Sequence, residues 1–276
     1  MKVAIVTDST SDISSELATT HDIHVVPAIL VMEGRSLEDG QELTREELYR
    51  QLPMLKTNPT TAAPSSGTFQ KVYEDFFNKG ADRIISIHVS SILSGICNAA
   101  SVAAEGYGNR VQVIDSRHVT LGLGYQVLAA AQAARSGQEL DEILKGIEEV
   151  RKRIHLVAML DTLEFARRSG RVSWARSNIG NLLQIKPFLG VEDGKVIRMG
   201  ETRTRQKGIE RLERMLSELG PLENLAILHT NALPDAIQFL DHVKTFVKNN
   251  PLIINVTSII GVHVGPNGLG FVAVAE

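Results

Sequence analysis

The sequence predicts an α/β protein of two domains: a first over residues 1–160 built on a parallel sheet, and a second over residues 161–276 with helices on one face of a largely antiparallel sheet. Three observations predict it. Short β-branched runs alternate with helical segments through the first half, which makes the strands parallel neighbours in one sheet. Past residue 160 a hairpin signature with the turn Glu192-Asp193-Gly194-Lys195 is followed by further strand–helix alternation. The 276 residues, at roughly 150 per domain, give length for two cores.

In chain order, residues 2–6 predict the first strand, which ends in Thr7-Asp8-Ser9-Thr10-Ser11-Asp12. An apolar run over 24–33 ends at Gly34, and an acidic turn through Gly40 leads to a helix over 44–52. Residues 56–67, with Pro59 and Pro64, predict a loop, either a plain surface connection or a carrier of binding residues. A helix over 68–78 follows. The strand at 83–89 ends in Ser90-Ser91-Ile92-Leu93-Ser94-Gly95, and the strand at 110–114 in Asp115-Ser116-Arg117-His118-Val119-Thr120. Helices over 121–134 and 140–153 come next, the first almost wholly apolar and therefore buried. A strand over 155–160 precedes short helical pieces at 162–169 and 172–183, then the hairpin of 185–191 and 196–199. Helices over 206–219 and 235–249 alternate with strands over 224–230, 253–260 and 269–275.

Three strands thus end in hydroxyls and carboxylates. In parallel sheets ligands bind beyond the carboxyl ends of the strands, so Asp8, Ser9, Thr10, Ser91, Ser94, Asp115 and Ser116 are expected on one rim. The same residue types also serve as helix N-caps, accepting from the first-turn N–H groups. Near the C-terminus, Gly261-Val262-His263-Val264-Gly265-Pro266-Asn267-Gly268-Leu269-Gly270 predicts a tight turn between two apolar strands that presents one imidazole at a ligand edge. An enzymatic reading takes Asp8, Asp115 and His263 as acid–base groups of a phosphotransferase or hydrolase at this rim. Phosphotransferases with a strand-end aspartate usually carry a second acid two positions later, where this chain has Thr10.

Composition excludes several classes. A net charge of −3 argues against a dedicated nucleic-acid binder. It is unevenly distributed: residues 167–214 hold 12 Lys+Arg and 5 Asp+Glu, a local +7 against −10 elsewhere. That segment is either a face for an acidic partner or a solvated basic surface. A single cysteine, Cys97, excludes an intrachain disulfide and Cys-rich metal sites. The longest apolar run, residues 25–32, contains Pro27 and is too short to span a bilayer, so a cytoplasmic protein is expected. There is no nucleotide P-loop, Gly122-Leu123-Gly124 does not complete a dinucleotide fingerprint, and Gly-x-Ser-x-Gly is missing. Only His21 and His24 lie near each other among the histidines, so neither a metal nor a cofactor is expected.

Eight stretches carry a family resemblance: Val6-Thr7-Asp8-Ser9-Thr10-Ser11-Asp12-Ile13, Thr61-Ala62-Ala63-Pro64-Ser65, Ser90-Ser91-Ile92-Leu93-Ser94-Gly95, Asp115-Ser116 with Gly122-Leu123-Gly124, Leu163-Glu164-Phe165-Ala166-Arg167-Arg168-Ser169-Gly170-Arg171-Val172, Ile185-Lys186-Pro187, Arg203-Thr204-Arg205 and His263-Val264-Gly265-Pro266. In this order, covering essentially the whole chain, they resemble the DegV family of bacterial lipid-binding proteins, whose members include the fatty-acid-binding subunits of fatty acid kinase. The resemblance implies a Rossmann-like first domain, a two-layer α+β second domain, and a long-chain fatty acid in a tunnel between them. It implies that Thr61 and Ser94 bind the carboxylate, with Gly95 opening the adjacent helix and His263 and Arg203 nearby. Asp8, Ser9, Thr10, Ser91, Asp115 and Ser116 then form the surrounding rim. The protein would be a non-catalytic carrier presenting the carboxyl group to a separate kinase for acyl-phosphate formation in phospholipid metabolism. Arg167, Arg168, Arg171 and Arg205 would face that kinase or an anionic membrane. Burial of about fourteen methylenes contributes on the order of 11 kcal/mol before binding costs, so the chain supplies affinity and the head group selectivity. Ala62, Ala63, Ile96, Cys97 and Asn267 stand where the family commonly has Ser, Gln, Thr, Tyr and Gly.

Overall fold

The structure, a computed structural model, describes residues 1–172, 174 and 185–276. In chain order it runs β1 (Val3–Asp8), α1 (Ser15–His21), β2 (Ile23–Val26), β3 (Ile29–Met32), β4 (Arg35–Glu38), α2 (Arg45–Gln51), β5 (Thr60–Ala62), α3 (Ser66–Asn78), β6 (Arg83–His88), α4 (Ile96–Ala104), β7 (Val111–Asp115), α5 (Leu121–Arg135), α6 (Leu140–Lys152) and β8 (Ile154–Met159). It continues with α7 (Glu164–Ser169), β9 (Lys186–Glu192), β10 (Lys195–Thr202), α8 (Arg205–Ser217), β11 (Leu222–His229), α9 (Leu233–Val243), β12 (Leu252–Asn255), α10 (Ser258–Val264) and β13 (Leu269–Ala275).

The chain divides into two compact units. The first comprises Met1–Ile29, Thr61–Lys152 and Asp193–Lys195; the second comprises Leu30–Thr60, Arg153–Glu192 and Val196–Glu276. A parallel sheet of order β2-β1-β6-β7 forms the first. Ala4, Ile5 and Val6 are all buried, as both faces of a parallel sheet are covered by helices. Helices α3 and α4 pack together, while α5 packs on β1 and carries α1 and α6.

The second unit is a six-stranded sheet of order β10-β9-β8-β13-β11-β12, antiparallel from β9 to β11 and parallel at β11–β12. Ile209, Leu212 and Leu216 of α8 and Ala236, Phe239 and Val243 of α9 close one core against Val157, Phe188, Ile227 and Phe271. Strand alternation sends Leu189 to the opposite face, where it joins Leu163, the N-cap of α7, and Ala166 within it. The hairpin turn has φ 46° at Asp193 and φ 78° at Gly194, the left-handed pair that an Asp-Gly turn between twisted strands requires.

Three expectations change. Residues 30–60 belong with the second unit, not with the first 160 residues. Tyr49 on α2 explains this: its ring is buried, its hydroxyl donates to the Val256 carbonyl at 2.8 Å, and Thr257 hydrogen-bonds Asp39. The strand expected over 253–260 ends at Asn255, after which the Thr257 hydroxyl accepts from Ile259 N and α10 begins. Tertiary packing overrides the β-propensity of Ile259 and Ile260. Loop 56–67 contains the short strand β5. The helical piece expected over 172–183 lies, apart from Val172 and Trp174, outside the described residues.

Candidate functional site: a carboxylate cradle

The carboxyl ends of β1, β6 and β7 carry a dense polar network. Asp8 is fully buried, and both of its oxygens accept. Oδ1 takes Thr10 N at 3.0 Å and Thr10 Oγ1 at 2.5 Å; Oδ2 takes Val89 N at 3.1 Å and His88 Nδ1 at 3.0 Å. Beyond the imidazole, His88 Nε2 lies 2.7 Å from Ser86 Oγ, which accepts from the Tyr73 hydroxyl at 2.9 Å. Burial raises the Tyr73 hydroxyl to about 12, so it stays protonated. The connectivity Ser86–His88–Asp8 has the order of a hydrolytic triad. Yet Ser86 and His88 are also fully buried, and Ser86 Oγ faces Tyr73 rather than a cleft. Asp8 therefore organises the fold, and its saturated carboxylate does not suit an attacking or proton-transferring role. His88 and Ser86 were missed by the sequence reading. Their signal was two polar residues at i and i+2 in an otherwise apolar strand, which period two places on one face.

Around this buried core stands a wetter rim. Asp115 is half-buried; its Oδ2 accepts from Ser91 Oγ at 2.6 Å and Ser91 N at 3.3 Å, and its Oδ1 from Arg117 N at 2.8 Å. The loop after β6 is thereby tied to the end of β7. Ser9 Oγ accepts from Ala28 N at 3.1 Å. Ser116 is buried, its hydroxyl donating to the His118 carbonyl at 3.2 Å. Most rim residues thus support loops or caps.

Ser94 differs. It is half-buried, its Oγ accepts from Ile96 N at 3.3 Å, and it retains a hydroxyl hydrogen to donate. Gly95 follows as the N-cap of α4 and has no side chain to cap it, so the Ser94 hydroxyl on Ile96 N is the side-chain contact to the first turn. A Cβ placed on Gly95 would lie 3.9 Å from Ala63 Cβ, so the end of β5 adjoins the start of α4. Thr61 is half-buried on β5, and Ala63 directly follows that strand. Hydroxyls beside a helix N-terminus are donors of the kind a carboxylate requires. Cys97, in the first turn of α4, is buried, and burial pushes its thiol up to about 11, aided by the charges of Asp115 and Asp8, so it stays an unreactive apolar filler.

In the second unit, His263 rides on α10 and not in a turn between strands. The glycines beside it have packing explanations. A Cβ on Gly261 would meet the Tyr49 hydroxyl oxygen at 2.5 Å, and one on Gly265, where φ is +79°, would meet the Phe165 ring at 2.3 Å. Burial, with the Arg171 guanidinium adding to it, lowers the His263 imidazole to about 4, so it is neutral at pH 7 and both donates and accepts. Arg203 is exposed between β10 and the Thr204 cap of α8. Arg167 and Arg171 are exposed; Arg168 is exposed while donating to Asn58 Oδ1 at 2.9 Å and pairing with Glu164. Arg205 is half-buried and paired within its unit: Nε donates to Asp235 Oδ2 at 2.6 Å and Nη1 to the Asn267 carbonyl at 2.6 Å. Among the described residues no group of three or more His, Cys, Asp or Glu is placed to hold a metal ion, and no helix is long and apolar enough to cross a membrane.

Comparison with known proteins gives the same framework. The model of the DegV family, described as uncharacterised proteins, matches residues 2–276. A DegV domain-containing protein of Deinococcus radiodurans is 33% identical over 274 residues, covering 98% of this chain and 97% of its own. Among solved structures, a DegV family protein from Thermus thermophilus described with fatty acid binding superposes with a TM-score of 0.91 at 30% identity, each chain covered in full. DegV from Bacillus subtilis, a fatty acid binding protein, gives 0.87 at 30% identity, again over 100% of both chains. With a family match over nearly its whole length and relatives at this identity, the chain belongs to the DegV family.

Proposed function

We propose that this protein binds one long-chain fatty acid and performs no chemistry on it. The carboxylate is held by Ser94, Thr61 and the first-turn N–H groups of α4. The observation that carries this reading is the α4 N-terminus, opened by Gly95, with Ser94 Oγ on Ile96 N and the residue after β5 beside it. Fatty acid binding by the Thermus thermophilus and Bacillus subtilis relatives supports it, as does an Asp8 already saturated by internal donors. His263 and Arg203 are assigned to the same head group by resemblance, His263 as a neutral hydrogen-bonding group and Arg203 as a cation.

Organic extraction of the purified protein and mass spectrometry are expected to recover a stoichiometric fatty acid; recovering none, with no uptake of added oleate, refutes the reading. Thr61→Val and Ser94→Ala are each expected to weaken oleate binding about tenfold, the value of one hydrogen bond to a charged group. The carrier role extends to handing the exposed carboxyl group to a separate kinase in the cytoplasm, with Arg167, Arg168 and Arg171 facing that kinase or an anionic membrane. Hydroxylamine trapping of an acyl phosphate formed from the loaded protein, ATP and a fatty acid kinase tests that step.

A further inference from the structure

We propose that Asp8 and His88 are the positioning residues of the carboxylate loop: they fix the backbone of residues 89–94, and with it Ser94 and the first turn of α4, without touching the fatty acid. This rests on the reading of Ser94 as a head-group ligand. Counting hydrogens along the buried chain leads to it. The Tyr73 hydroxyl donates to Ser86 Oγ at 2.9 Å, much nearer than its other acceptor, the Ala100 carbonyl at 3.5 Å, so the single hydrogen of Ser86 goes to His88 Nε2, 2.7 Å away. Nε2 is then the acceptor, and the imidazole carries its hydrogen on Nδ1, directed at Asp8 Oδ2 at 3.0 Å. The same carboxylate oxygen accepts from Val89 N at 3.1 Å, where the loop leaves β6.

Only an all-acceptor carboxylate satisfies this arrangement, because Val89 N, Thr10 N, Thr10 Oγ1 and His88 Nδ1 all donate to Asp8. From Val89 the loop stays anchored. Ser90 N donates to the His118 carbonyl at 3.0 Å, Ser94 N to the Ser90 carbonyl at 3.1 Å, and Ile96 N to Ser94 Oγ at 3.3 Å. Asp8, Ser86 and His88 are all 0% exposed, so a donor turned against a donor there has no water to relieve it.

The test compares Asp8→Asn with His88→Asn. Asparagine at 8 sets an NH₂ group against donors; asparagine at 88 keeps an N–H near the position of Nδ1. Imidazole ¹⁵N shifts of the wild type should report the Nδ1–H tautomer of His88. In ligand-free protein, Asp8→Asn should shift the amide resonances of residues 89–96 while unfolding cooperatively, and calorimetry should show oleate bound at least about tenfold more weakly. His88→Asn should stay within about threefold of wild type. An Nε2–H tautomer, unmoved 89–96 amides, or unchanged affinity with moved amides overturns the proposal. If Asp8→Asn does not fold, His88→Ala replaces it under the same criteria, and the wild-type tautomer is read regardless. A wild type that takes up no oleate refutes the carboxylate reading instead, and the ligand-free amides then judge the positioning by themselves.

Discussion

Gly261 and Gly265, on either side of His263, show how one residue type carries two constraints. At Gly265 the backbone is left-handed, φ +79°, and the space for a Cβ is filled by the Phe165 ring. Gly265→Ala is therefore expected to destabilise by about 2–4 kcal/mol in urea unfolding. At Gly261 the backbone is helical, and a Cβ would meet the Tyr49 hydroxyl at 2.5 Å and its ring carbons at 2.6 and 2.7 Å; the helix preference of alanine offsets part of the clash, so Gly261→Ala should cost about 1–3 kcal/mol. His263 supplies a pH dependence whose sign follows from burial. Below about pH 6.5 the unfolded chain takes up a proton that the folded imidazole refuses until about pH 4. Stability falls as pH drops through that window, by up to about 2–3 kcal/mol from this group, and the slope from this group vanishes below it. Buried His229, lowered chiefly by desolvation, adds in the same direction. The melting temperature of His263→Asn should decline less than that of wild type between pH 6.5 and 4.

Single elements gain meaning from how their ends are satisfied. α2 closes its N-terminus with a capping box, Thr44 and Glu47 each accepting from the other's backbone N–H. α4 is opened by Gly95, and the nearness of Ser94 and of the residue after β5 makes its first turn the ligand candidate. α8 is tied to α9 and to the segment before β13 through Arg205, which reaches both Asp235 and the Asn267 carbonyl. Arg205→Ala is expected to lower stability by about 1–3 kcal/mol and to leave binding to anionic vesicles unchanged. Arg167→Glu with Arg171→Glu should reverse the pattern, sparing stability while weakening vesicle association in a salt-dependent way. Element existence was legible in the sequence wherever periodicity was strong. It failed at α10, where β-branched residues are helical because Thr257 caps the start and Tyr49 packs against the helix.

For the molecule as a whole, ligand and charge act on separable observables. A fatty acid that binds only the folded chain stabilises it by about 2.7 kcal/mol at a hundredfold excess over Kd. For a chain of this size that corresponds to a rise of roughly 5–10 °C in melting temperature. Delipidated protein titrated with oleate should show that rise, while Ser94→Ala should require more ligand to reach it. The proposed vesicle association would draw instead on the local +7 of residues 167–214, set against −10 elsewhere, and is expected to weaken with salt while the oleate-induced shift persists.

Sequence alone determined the α/β class, the parallel first sheet and the Asp-Gly hairpin, because periodicity and turn chemistry are local properties of the chain, while Thr61 and Ser94 entered as candidate ligands through the family resemblance. Tertiary structure decided the rest. It moved residues 30–60 into the second unit through Tyr49, turned Asp8 from a rim acid into a buried acceptor for four donors, and drew Arg205 inward to Asp235. Each of these depends on which group lies opposite a side chain across the fold: whether a carboxylate meets water or a ring of N–H and O–H donors sets its role, and its neighbours in sequence do not reveal that environment.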